Sequence, residues 1–239
     1  MNKVGKYLKL GIGMMKYSLS PKLNFASIII FLLLGIMYEL IEYVSSMSGA
    51  VYKFSGLGPW MLAITPMYAL QYLYGVCISG MVQTSSQKKV IMIQSTTACK
   101  AVLECFSFAI LIVLRFLMYK GTGNEDYLFE LLAFGIYSML MSLYALVVYR
   151  YNLIGYAVML PLIIIAFMIT SVLSTVSSAL NPIRLVQSLL FLNGFGAYVV
   201  VGAIIIALDI LLFYVLSKCF YKIPISEKSF KQMLERAKR

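Results

Sequence analysis

Long apolar segments alternate with short polar connections along this chain. Each apolar segment continues for about 20 residues, which is the length that a helix needs to cross a hydrocarbon layer about 30 Å thick. The pattern predicts six transmembrane helices, at residues 24–44, 59–82, 100–119, 127–149, 153–175 and 197–220. We therefore expect an all-α, polytopic membrane protein whose six-helix transmembrane domain covers residues 23–221.

The composition agrees with this pattern and excludes several kinds of chemistry. Of the 239 residues, 62% are apolar and 12% are charged, whereas soluble domains carry about 45–50% and about 25%. The chain has no histidine, which excludes histidine general bases, Ser-His-Asp triads and most zinc sites. The GxxxxGKS/T phosphate loop is also absent, so we expect no catalytic, cofactor-binding or metal site and no enzyme activity on this chain.

The distribution of positive charge predicts the orientation in the membrane. The formal net charge is +11, but the basic residues lie at the ends of spans rather than in one patch, which argues against a nucleic-acid partner. With the N-terminus inside, 16 of the 20 lysines and arginines fall on the inner side, Lys100 among them. Both termini are therefore predicted to be cytoplasmic. The four cysteines map to the inner half, where we expect free thiols.

Residues 1–22 form a predicted amphipathic helix that lies in the membrane interface beside anionic lipid headgroups. At about 100° per residue, one face carries apolar side chains and the opposite face carries lysines and a serine. The predicted apolar face consists of Val4, Tyr7, Leu8, Ile12, Met15 and Leu19, and the polar face of Lys3, Lys6, Lys9, Lys16 and Ser20.

Three further helices are predicted outside the spans. The longest inner connection combines a serine and threonine cluster, a basic pair and the apolar run VIMI, which favours a short helix over residues 85–97 that lies across the cytoplasmic face. Its polar residues are available to a soluble partner: Ser86, Gln87, Lys88, Lys89 and Gln94. An outer-side helix is predicted at residues 181–192, and a C-terminal cytoplasmic helix at residues 222–239.

Ionisable side chains within spans are costly and therefore mark candidate functional positions. Asp209 lies near the middle of the sixth span, where either a functional or a structural role is open. Glu39 and Arg115 fall at matching depth on the first and third spans, which predicts an intramembrane ion pair. Glu104 lies near the inner end of the third span, where we expect it to be solvated.

The second span carries a polar stripe on one helical face. Thr65, Tyr68, Tyr72 and Ser79 could line a path for an amphipathic substrate together with Asp209. Helix packing through small and polar residues explains the same stripe, and this alternative stays open.

The predicted layout combines four features. These are an amphipathic N-terminal helix, six spans, a cytoplasmic helix between spans two and three, and an outer helix between spans five and six. This layout resembles the permease subunits of type-2 ABC exporters. Within that family it is most similar to small permeases of Gram-positive bacteria that export antimicrobial or amphipathic peptides such as phenol-soluble modulins.

The resemblance implies a location in the bacterial cell membrane and an assembly of several subunits. Two permeases, either identical copies or paralogues, would face each other, and separate ABC ATPase subunits would bind ATP and Mg²⁺. Residues 85–97 would be the coupling helix that touches the ATPase, and residues 1–22 would be the connecting helix.

Two other classes remain open on the sequence. A secondary transporter would use an ion or proton gradient through Asp209, although no clear internal repeat supports it. A non-transporting membrane scaffold is the other. An intramembrane protease is disfavoured, because the serine and zinc types need histidine and the aspartyl type needs two buried aspartates, of which only Asp209 is available.

Overall fold

The computed structural model describes residues 3–16, 21–48, 56–77, 80–151, 157–165, 168, 188 and 192–221. Within these ranges the protein is helical and contains no strand. The predicted helices at 181–192 and 222–239 and the predicted path residue Ser79 lie outside the described residues, apart from single positions in the first.

Within the described residues, seven α-helices and two shorter helical pieces have defined bounds. In order they are α1 (Lys3–Lys16), α2 (Pro21–Met47), α3 (Leu57–Cys77), α4 (Gly80–Thr84), a π-helical segment (Val90–Ser95), α5 (Thr96–Thr122), a 3-10 turn (Glu125–Leu128), α6 (Phe129–Tyr151) and α7 (Gly194–Phe220). Residues 157–165, within the predicted fifth span, are also helical.

In the part of the chain that the structure describes, four helical stretches are long and apolar enough to cross a membrane. They are Phe25–Met47, Val90–Thr122, Glu125–Val148 and Gly194–Phe220. The helix predicted at 59–82 is present as α3, but it is not one of the four. Gln71 and three tyrosines lower its mean hydropathy, and its buried positions contact α2, α5 and α6.

The two faces of α7 explain how such a helix is oriented. Residues at intervals of three and four are exposed on one face: Val200, Ile204, Leu208, Leu211 and Val215. The opposite face is buried and carries Tyr198, Gly202, Ile206, Asp209, Phe213 and Ser217. An exposed stripe of large aliphatic side chains suits contact with lipid, whereas Asp209 and Ser217 of this helix point into the protein.

The main core lies between α3, α5, α6 and α7. Its fully buried side chains include Leu62, Leu111, Phe134, Tyr137 and Tyr198. Glycines allow the helices to approach closely here. An ideal Cβ on Gly135 would lie 2.6 Å from Ile205 Cγ2.

Helix α1 packs beside the start of α5 and the π-helical segment. Gly11 allows this contact, because an ideal Cβ there would lie only 2.3 Å from Cys99 Sγ. The buried face differs from the predicted one: Met14 is buried with Met15, whereas Val4 and Ile12 are exposed. Protein packing, which the amphipathic pattern alone does not reveal, selects this face.

The predicted separate helix at 85–97 is not formed. A turn at residues 85–87 is followed by helical residues from Lys88, which run through the π-helical segment into α5 without a break. At this junction the Thr96 hydroxyl donates to the carbonyl of Met92 at 2.8 Å, and the Thr97 hydroxyl donates to the carbonyl of Ile93 at 2.7 Å. Both bonds run from a threonine side chain to the carbonyl of the residue four positions earlier, a common arrangement inside helices.

Helix α5 ends at Gly123, which adopts φ +66° and donates its N–H to the carbonyl of Tyr119. This is the left-handed C-cap that glycine favours. The following turn is fixed to α7, because Glu125 Oε1 accepts the N–H of Gly194 at 3.0 Å. A carboxylate at the first residue of a helix also matches the helix dipole.

Candidate functional site

The ionisable side chains of helix α5 that are buried in the core lie on one face of the helix. Lys100, Glu104 and Arg115 are all buried, at intervals that keep them on the same side as Leu111. At a rise of about 1.5 Å per residue, Lys100 and Arg115 lie roughly 22 Å apart along the helix. Each of the two cations is the centre of a separate cluster of charged residues.

The first, which we call the Lys100 cluster, joins α5, α6 and α7. Lys100 Nζ contacts a carboxylate oxygen of Glu104 and lies 2.7 Å from Asp209 Oδ2. Ser138 of α6 donates to Glu104 Oε1 at 2.5 Å, and Ser142 donates to Asp209 Oδ2 at 3.1 Å. All five side chains are buried. One ammonium group therefore bridges two carboxylates in a site closed to solvent.

The Phe213 ring completes the surroundings of the lysine, with its centroid 5.5 Å from Lys100 Nζ. This is within the range of a cation–π contact. The formal charge of the cluster is nevertheless −1, from one lysine and two carboxylates. A buried charge excess is costly.

The second, the Arg115 cluster, joins α5, α2 and α6. Arg115 Nη2 lies 2.8 Å from Glu39 Oε2 and 2.7 Å from Glu42 Oε2, and it also contacts Glu130 Oε2. Arg115, Glu39 and Glu130 are fully buried, and Glu42 is 15% exposed. The formal charge is −2, from one arginine and three carboxylates.

The three glutamates form the one arrangement among the described residues with the spacing of a metal site. One carboxylate oxygen from each of Glu39, Glu42 and Glu130 lies within 4.8 Å of the other two. Arg115 Nη2 contacts an oxygen of all three residues, so the guanidinium occupies the position of the cation. We therefore interpret the Arg115 cluster as an ion-pair network that links α2, α5 and α6.

Gly58, at the start of α3, makes room for this cluster. An ideal Cβ at Gly58 would lie 2.0 Å from Glu39 Oε1 and 2.7 Å from its carboxyl carbon. Only a residue without a side chain lets α3 approach the buried carboxylate so closely. The first turn of α3 also presents the positive end of its dipole, which favours a negative charge there.

We expect Gly58→Ala to destabilise the protein by about 1–3 kcal/mol, because the added methyl group must displace Glu39 or move α3 away from α2. Gly75→Ala, on the same helix, is the matched control. Among the described residues, no atom outside the neighbouring backbone of α3 lies within 4 Å of a Cβ at Gly75, and removing a helical glycine there stabilises by about 0.5–1 kcal/mol. Thermal unfolding in mild detergent measures both, and equal effects of the two substitutions would contradict this role of Gly58.

The predicted partners Glu39 and Arg115 are in contact. Sequence reasoning missed Glu42 and Glu130, which share the same guanidinium. The position of Glu42, three residues after Glu39, was a signal for one of them, because residues at this spacing lie on one side of a helix.

Two expectations about α5 are wrong. The sequence predicts Lys100 among the basic residues of the inner side and Glu104 in a solvated position, but both side chains are buried and paired. The spacing of 100, 104, 111 and 115 on one helical face could have revealed this. Asp209, left open between two roles, is paired with the same lysine.

The predicted substrate path is not assembled. Tyr68 stacks on Phe31 of α2 with ring centroids 4.4 Å apart, and its ring lies 6.3 Å from that of Tyr72. Thr65 is buried and donates to the carbonyl of Met61 at 3.4 Å. Asp209 instead lies among α5, α6 and α7. Thr65 and Tyr68 thus contribute to the packing of α3.

The candidate contacts for a soluble partner are accessible in part. Ser86, Gln87 and Lys89 are exposed, whereas Lys88 and Gln94 are half-buried. Lys88 Nζ lies 5.7 Å from the centre of the Tyr221 ring at the end of α7. The exposed part of this surface is therefore the short turn that precedes the π-helical segment.

Comparison of the chain with protein-family models, curated proteins and solved structures finds no match.

Proposed function

We propose that this chain is the permease subunit of an ATP-driven ABC exporter in a bacterial cell membrane. It would span the membrane six times with both termini in the cytoplasm. A second permease, identical or paralogous, and two separate ATPase subunits would complete the transporter. The observation that carries the proposal is the turn at residues 85–87, where Ser86 and Gln87 are exposed together with the following Lys89. This turn leads directly into the helical run of α5, and α1 packs beside the same junction.

The connection between this turn and α5 supports a role in transmitting force. Helical residues continue from Lys88 through the π-helical segment into α5, so no flexible loop separates the turn from the helix. Helix α1 packs against the same junction. A displacement of the turn by a bound ATPase would therefore move α5 and α1 together.

The two ionic clusters would then pass this motion to the other helices. Through Lys100, α5 is tied to α7, and through Arg115 it is tied to α2 and α6. In an alternating-access cycle, these ties let the helices rock as a unit instead of sliding past each other. The excess carboxylates would keep each cation paired during small shifts of α5.

An external energy source is needed because the sequence has no phosphate loop. The proposed substrate is an amphipathic or hydrophobic peptide, as the family resemblance implies. Tyr68 and Tyr72, which are half-buried on the side of α3 that faces α2, remain the proposed contacts for it. Thr65 and Asp209 are fully buried and are removed from that set.

Charge reversal in the exposed turn tests the proposal. We expect Lys89→Glu to reduce the amount of ATPase that co-purifies with the tagged chain by at least about tenfold, because like charges across a docking surface cost several kcal/mol. The chain is expressed in its native host and extracted in mild detergent, and partners bearing a phosphate loop are quantified by mass spectrometry. Lys120→Glu, an exposed lysine near the opposite end of α5, is the matched control.

Equal recovery of the ATPase with both variants would show that the turn is not its docking site. Purification of the wild-type chain without any ATPase, combined with transport that needs no ATP, would overturn the proposed function. That second result would favour a transporter driven by an ion gradient.

A further inference from the structure

We propose that the Lys100 cluster binds one additional monovalent cation, a proton or a sodium ion, at the carboxylate of Asp209. The site consists of Asp209, Glu104 and the two serine hydroxyls that contact them. This inference concerns the resting protein and does not depend on the proposed exporter function.

The charge of the cluster is the first argument. Lys100 supplies one positive charge to two carboxylates that are both fully buried. An uncompensated buried carboxylate is so costly that such sites normally acquire a counter-charge. One added monovalent cation makes the formal charge of this cluster zero.

A free oxygen of Asp209 is the second, independent argument. Asp209 is fully buried, and its Oδ2 atom receives both Lys100 and Ser142. Its Oδ1 atom is also buried, but no hydrogen-bond donor among the described residues reaches it. A proton on Oδ1, or a sodium ion beside it, supplies the missing partner.

The neighbouring helices supply oxygen ligands for a cation. Among their described residues, Lys100 is the cation that contacts these carboxylates. Helix α6 contributes the hydroxyls of Ser138 and Ser142, which with the carboxylates form a set of oxygens suited to a hard cation. Among the described residues packed against α7, α5 adds Lys100 and Glu104, and the π-helical segment adds no ionisable side chain. The 3-10 turn brings Glu125 to Gly194, at the far end of α7.

Melting temperatures of the purified chain, with any partner that accompanies it, test the site. Unfolding is followed by Trp60 fluorescence while sodium replaces choline at constant ionic strength, and in a separate series while the pH is lowered from 9 to 5. We expect the wild type to gain roughly 5–11 °C between cation-free conditions and a concentration 100 times the dissociation constant. A gain with sodium identifies a sodium site, and a gain on acidification alone identifies a proton site.

Two variants separate this site from general effects of salt and pH. Asp209→Asn makes the cluster neutral without a further ion, so the gain disappears. Asp126→Asn makes the same chemical change in the 3-10 turn, outside the cluster, and retains the gain. A wild type whose melting temperature responds to neither cation, or an Asp209→Asn variant that responds equally, overturns the proposal.

A measurement on the wild type alone covers the case in which Asp209→Asn does not fold. Dicyclohexylcarbodiimide modifies protonated carboxyl groups in apolar surroundings, and peptide mapping locates the modified residue. Modification of Asp209 that decreases as the pH or the sodium concentration rises supports the site. An Asp209 that stays unmodified throughout both series overturns it. Neither result depends on an ATPase, so this test and the test of the exporter function can fail separately.

Discussion

Arg115→Met is expected to lower the free energy of unfolding by about 3–5 kcal/mol, because it leaves buried carboxylates without their shared counter-charge. The guanidinium now fills the gap between three carboxylates, and without it these would face one another directly: Glu39, Glu42 and Glu130. Methionine keeps most of the side-chain volume, so the loss reports on charge more than on packing. Thermal unfolding in mild detergent should show a decrease of roughly 6–20 °C in melting temperature.

Lys120→Met is the control for this change. Lys120 lies on the same helix five residues later but is exposed, so we expect its removal to alter stability by no more than about 0.5 kcal/mol. Adding Glu130→Gln to the Arg115→Met variant removes one of the unpaired charges and is expected to restore part of the loss. Equal melting temperatures for Arg115→Met and Lys120→Met would show that the cluster does not stabilise the fold.

Lys100→Met is expected to have an effect of similar size, about 3–5 kcal/mol, at the other cluster. Glu104 and Asp209 would remain buried with no cation between them. The serine hydroxyls that contact these carboxylates supply hydrogen bonds but no charge. The same unfolding measurement applies, with the exposed Lys89→Met as the matched control.

A double-mutant cycle identifies the cause of the Lys100 effect. In the wild type, Asp209→Asn removes an acceptor of the lysine, whereas in the Lys100→Met background it removes an unpaired charge. We therefore expect a coupling energy of about 0.5–3 kcal/mol between the two positions, with the double variant more stable than the sum of the single effects predicts. Strictly additive effects would contradict the ionic bridge between α5 and α7.

Together, the two clusters make α5 the helix on which the others are joined. Its two buried cations lie at different heights along the helix. Lys100 contacts α7, and Arg115 contacts α2 and α6. A motion that begins at the turn before α5 would therefore act on both the Lys100 cluster and the Arg115 cluster.

The sequence predicts the apolar helices well because their formation depends mainly on local composition. Segments such as 197–220 are apolar at most positions, and the structure extends this one by three residues to Gly194. The prediction fails at the junction before α5. The polar residues of 85–97 suggested a separate helix, but burial of Ile91 and Met92 makes this segment part of α5's own helical run.

The site was predicted only in fragments, for a related reason. Depth along a span can be counted from the sequence, and that count identified Glu39 and Arg115 as partners. It placed Lys100 too close to the membrane surface to suggest burial. Depth also does not tell which helices are neighbours, so nothing in the sequence linked Lys100 to Asp209, 109 residues later.

The sequence by itself therefore determined that the chain is helical and strongly apolar, and that it carries a few charged residues that need partners. The helical structure and the hydropathy of a segment both depend on side chains that lie within a few helical turns of each other in the chain. Only the tertiary structure decided how those charges combine, with one lysine between two carboxylates and one arginine among three. Residues far apart in the chain meet only when their helices pack, and small features such as Gly58 beside Glu39 decide which helices approach closely enough.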